Sequence, residues 1–273
     1  MQASKELVAM IEAAQTAGKA LLGWSRRLSE LDVRTKNGPA DMVSQADVEA
    51  EGIVRGVLGR VRPGYAFLGE EGGSHAGDAD NQWIVDPLDG TTNFLFGTPL
   101  WGINVALARA GRVVAGVILL PALDELYVAE QGQGAWLNGR RIHVSTREHL
   151  NESVLGCGIP FAGKPEHPLF AREMALLTSD IAGIRRTGAC SVDMAWVAAG
   201  RWDAYWERSL CAWDMAPGLI LAEEAGGRAS DCDGSPYRLE AGNVCISNGR
   251  LHAALIERLA QARSSLSGTL GRL

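Results

Sequence analysis

The sequence lacks any C-x-x-C pair, and its five cysteines (Cys157, Cys190, Cys211, Cys232, Cys245) are odd in number and scattered. That excludes a disulfide framework and predicts reduced thiols in a cytoplasmic protein. Histidine is sparse as well: His75, His143, His149, His167 and His252 are spread out, with no ligand-like spacing among them. Long apolar runs are missing. The longest, "VVAGVILLPAL" at 113–123, falls well short of the ~20 residues a membrane span needs. The first residues, "MQASKELVAMIEAAQ", carry Glu6 and Glu12 where a signal peptide would need an unbroken apolar core. Nor is there an excess of basic charge. The formal net charge of -6 disfavours direct nucleic-acid binding, which needs concentrated Lys and Arg.

What is present reads as an ordinary globular chain: 273 residues, 47% hydrophobic and 21% charged. Such a length suits one large domain or two intimate halves, and buries enough surface to need no staples. Leu7, Ile11, Ala14, Gly18 and Leu21 step by three and four, predicting an amphipathic helix over 4–28. Asn37-Gly38-Pro39 then marks a loop, and a second helix is expected from about Asp47 to Leu58, with Ser44 or Asp47 as its cap. From Trp101 to His143 the pattern is strand-like, with Asn138-Gly139 the strongest hairpin signal. After "STREHLNES" strands and helices alternate: helices near 168–180, 190–200, from about 214 and over 250–262, with strands "DAYWE" and "VCISNG" between. An antiparallel-rich half, 1–147, followed by an alternating half, 148–273, suggests layered sheets and helices.

The chemistry is concentrated in three segments that deliver acids to a strand end or helix start: "FLGEE" (Glu70, Glu71), "VDPLDGTTN" (Asp86, Asp89) and "AWDMAPG" (Asp214). Hard oxygen donors of this kind, with the Leu88 carbonyl between two of them, suit Mg²⁺. That ion binds few carboxylates, keeps several waters and awaits substrate phosphate. Two such ions roughly 3.5–4 Å apart would clamp both oxygens of a displaced phosphoryl group. A helix starting at Gly90-Thr91 would turn free N–H groups toward an anion, and Gly90 has no Cβ to obstruct it. Thr91 offers a hydroxyl that can take a proton from water if a carboxylate lies behind it, and Asp47 in "VSQAD" is a candidate. Plainer readings stand beside each of these. Asp86 and Asp89 can be turn residues, Asp47 a helix cap, and Lys36 a solvated loop lysine.

"WIVDPLDGTTNF" and "WDMAPGLILAEEAGG" together closely resemble the inositol monophosphatase family, whose signatures read W-x-x-D-P-[IL]-D-G-T-x-N-[FY] and W-D-x-A-x-G. "GEE" and "DAYWE" match in order and spacing, and the resemblance runs from about residue 5 to 262. It implies an α+β fold, an α-β-α-β-α layered sandwich. It also implies an Mg²⁺-dependent phosphatase for a small phosphate monoester, first of all inositol 1-phosphate. Glu70, Asp86 and the Leu88 carbonyl would hold one magnesium; Asp86, Asp89 and Asp214 a second; Glu70 with waters a third. Thr91 paired with Asp47 would activate water, and the amides of Gly90 and Thr91 would bind phosphate. Glu207 would hydrogen-bond a substrate hydroxyl, for which the residue-level alternative is an ion pair with Arg208. The backbone around Gly188 and Ala189 would line the sugar pocket, and Lys36 would sit on a loop near the site. Lithium inhibition and a homodimer are implied too.

"GCGIPF" and "TGACS" fit bacterial versions of the family, so the substrate is less constrained than the chemistry. Histidinol phosphate, fructose 1,6-bisphosphate and 3'-phosphoadenosine 5'-phosphate are alternatives. A regulatory partner of the transcription machinery is an alternative of a different class. "CDGSPYR" at 232–238 has the Cys-to-Arg spacing of phosphotyrosine phosphatases, but Pro236 removes a needed amide and Asp231 and Asp233 would repel the anion. It reads as a turn.

Overall fold

The computed structural model describes residues 3–36, 42–160 and 164–270, without the side chains of 79 and 266–270. The loop signature Asn37-Gly38-Pro39 lies outside the described residues. Helix α1 (Lys5–Trp24) starts where the Ser4 hydroxyl accepts the Leu7 N–H, and buries Leu7, Met10, Ala14 and Leu21 on one face. It stops four residues earlier than the apolar spacing suggests, because the chain turns after Ser25 into a short 3₁₀ segment. A ribbon of β1 (Val33–Thr35) and β2 (Met42–Ser44) leads into α2 (Gln45–Val61).

Eight strands then form the first sheet: β3 (Tyr65–Gly69), β4 (Gly73–His75), β5 (Asp78–Asp89), β6 (Gly102–Arg109), β7 (Arg112–Leu120), β8 (Glu125–Glu130), β9 (Gly134–Leu137) and β10 (Arg140–Ile142). A single turn of helix, α3 (Thr91–Leu95), follows β5. The strands β5 to β10 pair in sequence as an antiparallel meander, while β3 lies parallel to β5. Asn138 and Gly139 take φ of 47° and 76°, the left-handed pair that a tight hairpin requires.

A second, five-stranded sheet has the order β12 (Gly183–Arg185), β11 (Val154–Cys157), β13 (Ala204–Glu207), β15 (Val244–Ser247), β14 (Arg228–Ser230). Four helices accompany it: α4 (His167–Leu177), α5 (Cys190–Ala198), α6 (Ala212–Glu224) and α7 (His252–Leu270). The layers follow from the contacts. Helices α1 and α2 cover one face of the first sheet, α5 and α6 are sandwiched between the sheets, and α4 and α7 cover the outer face of the second. This is the α-β-α-β-α sandwich, with the middle helices apolar on nearly every side because sheet lies above and below them. Gly116 on β7 and Gly218 on α6 allow that closeness: a Cβ on Gly116 would stand 2.9 Å from Pro217 Cα, and one on Gly218 would press into Met194.

Candidate active site

The acids arrive at one place because three elements end there. β5 carries Asp86 and Asp89, and its pairing with β6 shifts register between them, so both can face the same side across the intervening Pro87-Leu88. The Leu88 N–H donates to Asp86 Oδ1 at 2.9 Å. Gly90 follows with φ +87°, and a Cβ there would meet Ala189 Cβ at 2.9 Å and the Leu100 carbonyl at 3.1 Å. The glycine is therefore required by backbone conformation and by contact with the second half. Obstruction of a phosphate, the reason read from the sequence, is not what the packing demonstrates.

Glu70 follows β3, and its backbone N–H donates to the Val85 carbonyl. The Lys36 ammonium lies between Glu70 Oε1 at 2.8 Å and Glu71 Oε1 at 2.6 Å, so Lys36 is no solvated bystander. Burial pushes the Glu71 carboxyl up to about 7, against the pull of Lys36. Asp214 occupies the first turn of α6, where its Oδ2 accepts the Cys211 N–H at 2.6 Å. Asp89 Oδ2 accepts the Ser191 N–H from the start of α5 at 2.7 Å. Strand ends from the first sheet and helix starts from the middle layer thus meet at these carboxylates.

Their electrostatics are those of crowded anions. Burial raises Asp86 far above the usual carboxylate range, and the charges of Glu70, Asp89 and Asp214 raise it further. Asp214 is raised likewise, by burial and then by Asp89. Burial lifts Asp89 to about 6, although the Ser191 amide opposes this. Hard oxygen donors whose charges so burden one another fit a divalent cation that keeps its own waters. Among the described residues no three of these side chains form a closed ligand cage; each is turned onto Lys36 or a backbone N–H instead.

Thr91 and Asp47 are in contact. The Thr91 hydroxyl lies 3.0 Å from Asp47 Oδ1 and 3.1 Å from the Leu88 carbonyl, and can donate to either. Asp47 Oδ2 meanwhile accepts the Ser44 N–H at 2.8 Å and the Ser44 hydroxyl at 2.7 Å, closing a capping box on α2. The cap and the proton acceptor are one residue, divided between its two oxygens. Burial raises Asp47, while the donors on it work against the rise.

A cavity of about 480 Å³ opens beside these groups, and Glu70, Asp89, Gly188, Ala189, Glu207 and Asp214 reach its wall. Asp47, Asp86 and Leu88 are almost wholly buried and, like Gly90 and Thr91, are not among the residues that line it. Glu207 accepts a hydrogen bond from the Tyr205 hydroxyl, and burial pushes its carboxyl up to about 7. The ion pair of Glu207 with Arg208 does not form; Arg208 pairs with Glu173. Trp206, whose place beside Glu207 would suit a wall of the substrate pocket, is instead buried in the outer cluster.

Sequence reading missed several supports. Glu51 accepts the N–H groups of Glu71 and Gly72 at 2.9 and 2.7 Å, shaping the turn after Glu70. Its signal was available: it stands four after Asp47 on the buried face of α2. Asp193, buried on α5, accepts the Thr187 hydroxyl at 2.8 Å and so braces the turn bearing Gly188 and Ala189. Asn93 donates to the carbonyls of Leu100 and Thr187 at 2.6 and 2.9 Å, joining the two halves beside the site. Neither contact has a local sequence signature.

Residues 3–265 match the model of the inositol monophosphatase family. The chain belongs to the inositol monophosphatase family. It is a phosphoric monoester hydrolase. Among its relatives is a Rhizobium meliloti protein named inositol-1-monophosphatase, 49% identical over 94% of this chain and 97% of the relative. A Pseudomonas aeruginosa protein named Nus factor SuhB is 41% identical over 90% of this chain and 92% of its own. The crystal structure of extragenic suppressor protein suhB from Bartonella henselae superposes with a TM-score of 0.91 at 41% identity, over 94% of this chain and 98% of that one.

Proposed function

We propose that the chain hydrolyses the phosphate monoester of a small polyol, inositol 1-phosphate first, with Mg²⁺ as cofactor. The observation that carries this is the crowding of four acids, Glu70, Asp86, Asp89 and Asp214, beside one cavity, with Asp86 and Asp214 raised by burial and by the charges of their neighbours. Those acids and the Leu88 carbonyl would hold two or three ions, which when bound supply charge stabilisation and lower the pKa of water. The relatives named inositol-1-monophosphatase support the substrate.

The protein's own part is to orient water and ester and to move protons. Thr91, held 3.0 Å from Asp47, accepts a proton from the attacking water as its own hydroxyl proton passes to Asp47 Oδ1. The water oxygen forms a bond to phosphorus as the ester P–O bond breaks, the leaving alkoxide takes a proton from solvent water, and the reaction proceeds with inversion and no phosphoenzyme. The amides of Gly90 and Thr91 face the phosphate, Glu207 takes a hydroxyl of the leaving alcohol, and Gly188 and Ala189 bound the sugar side. The halves 1–147 and 148–273 enclose the site between them; the gap from Ile142, where the first sheet ends, to Val154, where the second begins, supports that division. We further infer a cytoplasmic homodimer that is inhibited by lithium and binds no nucleic acid directly. The net charge of -6 supports the lack of direct nucleic-acid binding and the free cysteines the compartment, while the dimer and the lithium inhibition rest on family membership; no described helix is long and apolar enough to cross a membrane.

The test is phosphate release from inositol 1-phosphate, histidinol phosphate, fructose 1,6-bisphosphate and 3'-phosphoadenosine 5'-phosphate, with and without Mg²⁺ and lithium. Mg²⁺-dependent, lithium-sensitive preference for inositol 1-phosphate is expected; silence across the panel would sink the reading. The similarity to a Nus factor favours a second role, as a protein partner of the transcription machinery. An Asp89→Asn variant that loses turnover but keeps such a complex would separate the two.

A further inference from the structure

One buried ion pair stands outside the machinery described so far. Glu173, on α4, is wholly buried and Arg208 is nearly so. Arg208 Nη1 donates to Glu173 Oε2 at 2.9 Å, and Nη2 approaches Oε1 to 2.6 Å as a charge contact without hydrogen-bond geometry. The same Oε2 accepts the Trp206 indole N–H at 3.0 Å. One carboxylate therefore grips the residues on either side of Glu207. Along β13 successive side chains alternate between faces. Tyr205 packs with the middle helices, while Trp206 packs with α4 and α7. Glu207, with Tyr205, is thus turned toward the cavity by a strand pinned from behind.

The grip is not explained by stability alone. A buried ion pair loses most of its attraction to desolvation, and a well-packed apolar pair commonly replaces it without loss. α4 already has apolar partners in this layer, through Phe170, Met174 and Leu177. What an apolar pair cannot supply is a directional, charge-assisted hydrogen bond from the guanidinium to the same Oε2 that takes the indole N–H. Tight geometry is needed at Glu207, whose carboxylate lies so close over Gly158 that a Cβ there would overlap it. Immediately beyond Arg208, Ser209 turns left-handed, with φ 58°, so the strand ends at this point.

We propose that Glu173, acting through Arg208 and Trp206, is a positioning residue that sets Glu207 for the hydroxyl of a polyol leaving group. The proposal rests on the substrate-side reading of Glu207. It separates recognition of the alcohol from the phosphate chemistry, which lies on other elements.

The experiment compares inositol 1-phosphate with phenyl phosphate, which has no hydroxyl, in saturating Mg²⁺. The variants are Glu173→Gln, Arg208→Lys and the apolar pair Glu173→Leu with Arg208→Met, the last chosen to keep a folded core. With the apolar pair, KM for inositol 1-phosphate should rise roughly tenfold or more with kcat little changed, while phenyl phosphate is handled as by the wild type. Arg208→Lys keeps the charge but not the planar, directed guanidinium N–H, and should show the same split in smaller degree. If a folded apolar-pair variant keeps the wild-type preference, or loses both esters equally, the positioning role is overturned. If the wild type itself shows no preference for the polyol ester, the role of Glu207 falls, and the proposal with it.

Discussion

Asp47 shows how much one residue carries here. Its Oδ2 caps α2 through Ser44 and its Oδ1 meets the Thr91 hydroxyl, so a substitution tests two functions at once. They can be separated. Ser44→Ala removes the hydroxyl from the capping box and should cost about 0.5–2 kcal/mol of stability with kcat nearly unchanged. Asp47→Asn keeps an acceptor for the cap but cannot receive the proton, and kcat should fall by roughly 10²–10⁴ with a smaller loss of stability. Equal kinetic damage from both, measured beside their melting temperatures, would mean that Asp47 acts on catalysis only through the helix. The residues legible from sequence were those whose neighbours in the chain declare them: acids after an apolar strand, a Gly-Thr step, a Trp-Asp helix start. Asp193 and Glu173 were not, because a buried carboxylate that serves a hydroxyl or guanidinium on another segment reads locally as any solvated acid.

At the scale of elements, the site depends on how closely the middle helices lie on the first sheet. Asp214 rides on α6 and the amide that holds Asp89 belongs to α5, so both follow the packing of that layer. Gly116→Val would drive a side chain into the Pro217 backbone, which stands 2.9 Å from a Cβ at that position. Overpacking of this kind costs about 1–3 kcal/mol and lifts α6 away from β7. Mg²⁺ affinity, read by calorimetry, should fall together with the melting temperature, although residue 116 touches no ligand. Retained affinity in a clearly destabilised variant would show that Asp214 is held by its own turn rather than by α6. Element types and order were readable from periodicity and turn residues. The order of the second sheet and the layering were not, since they rest on contacts between residues far apart in the chain, such as Asn93 with Thr187.

For the molecule as a whole, the acids should make stability depend on pH and on the cation. Glu71 and Glu207 are raised to about 7 in the fold, above the ordinary carboxylate value of 4.5, so the folded state binds protons that the unfolded chain has released. Their stabilising protonation is complete at low pH and is lost as pH rises through about 7. His252 works in the opposite sense. Buried between Ser230 and Ser247, it is lowered to about 4 and destabilises the fold only as pH falls below its ordinary value of 6.5. A window from about pH 6.5 to 8 therefore isolates the acids. In chelator the melting temperature should fall across that window. Mg²⁺ at ~100 times its Kd at pH 8 should return about 2.7 kcal/mol there, or roughly 5–10 °C for a chain of this size, and the same concentration should return less at the acid end. There the carboxylates are charged and their mutual repulsion is greatest, so the cation relieves most. A melting temperature indifferent to Mg²⁺ at pH 8 would show that the crowded acids are not a metal site, whatever the turnover assay reports.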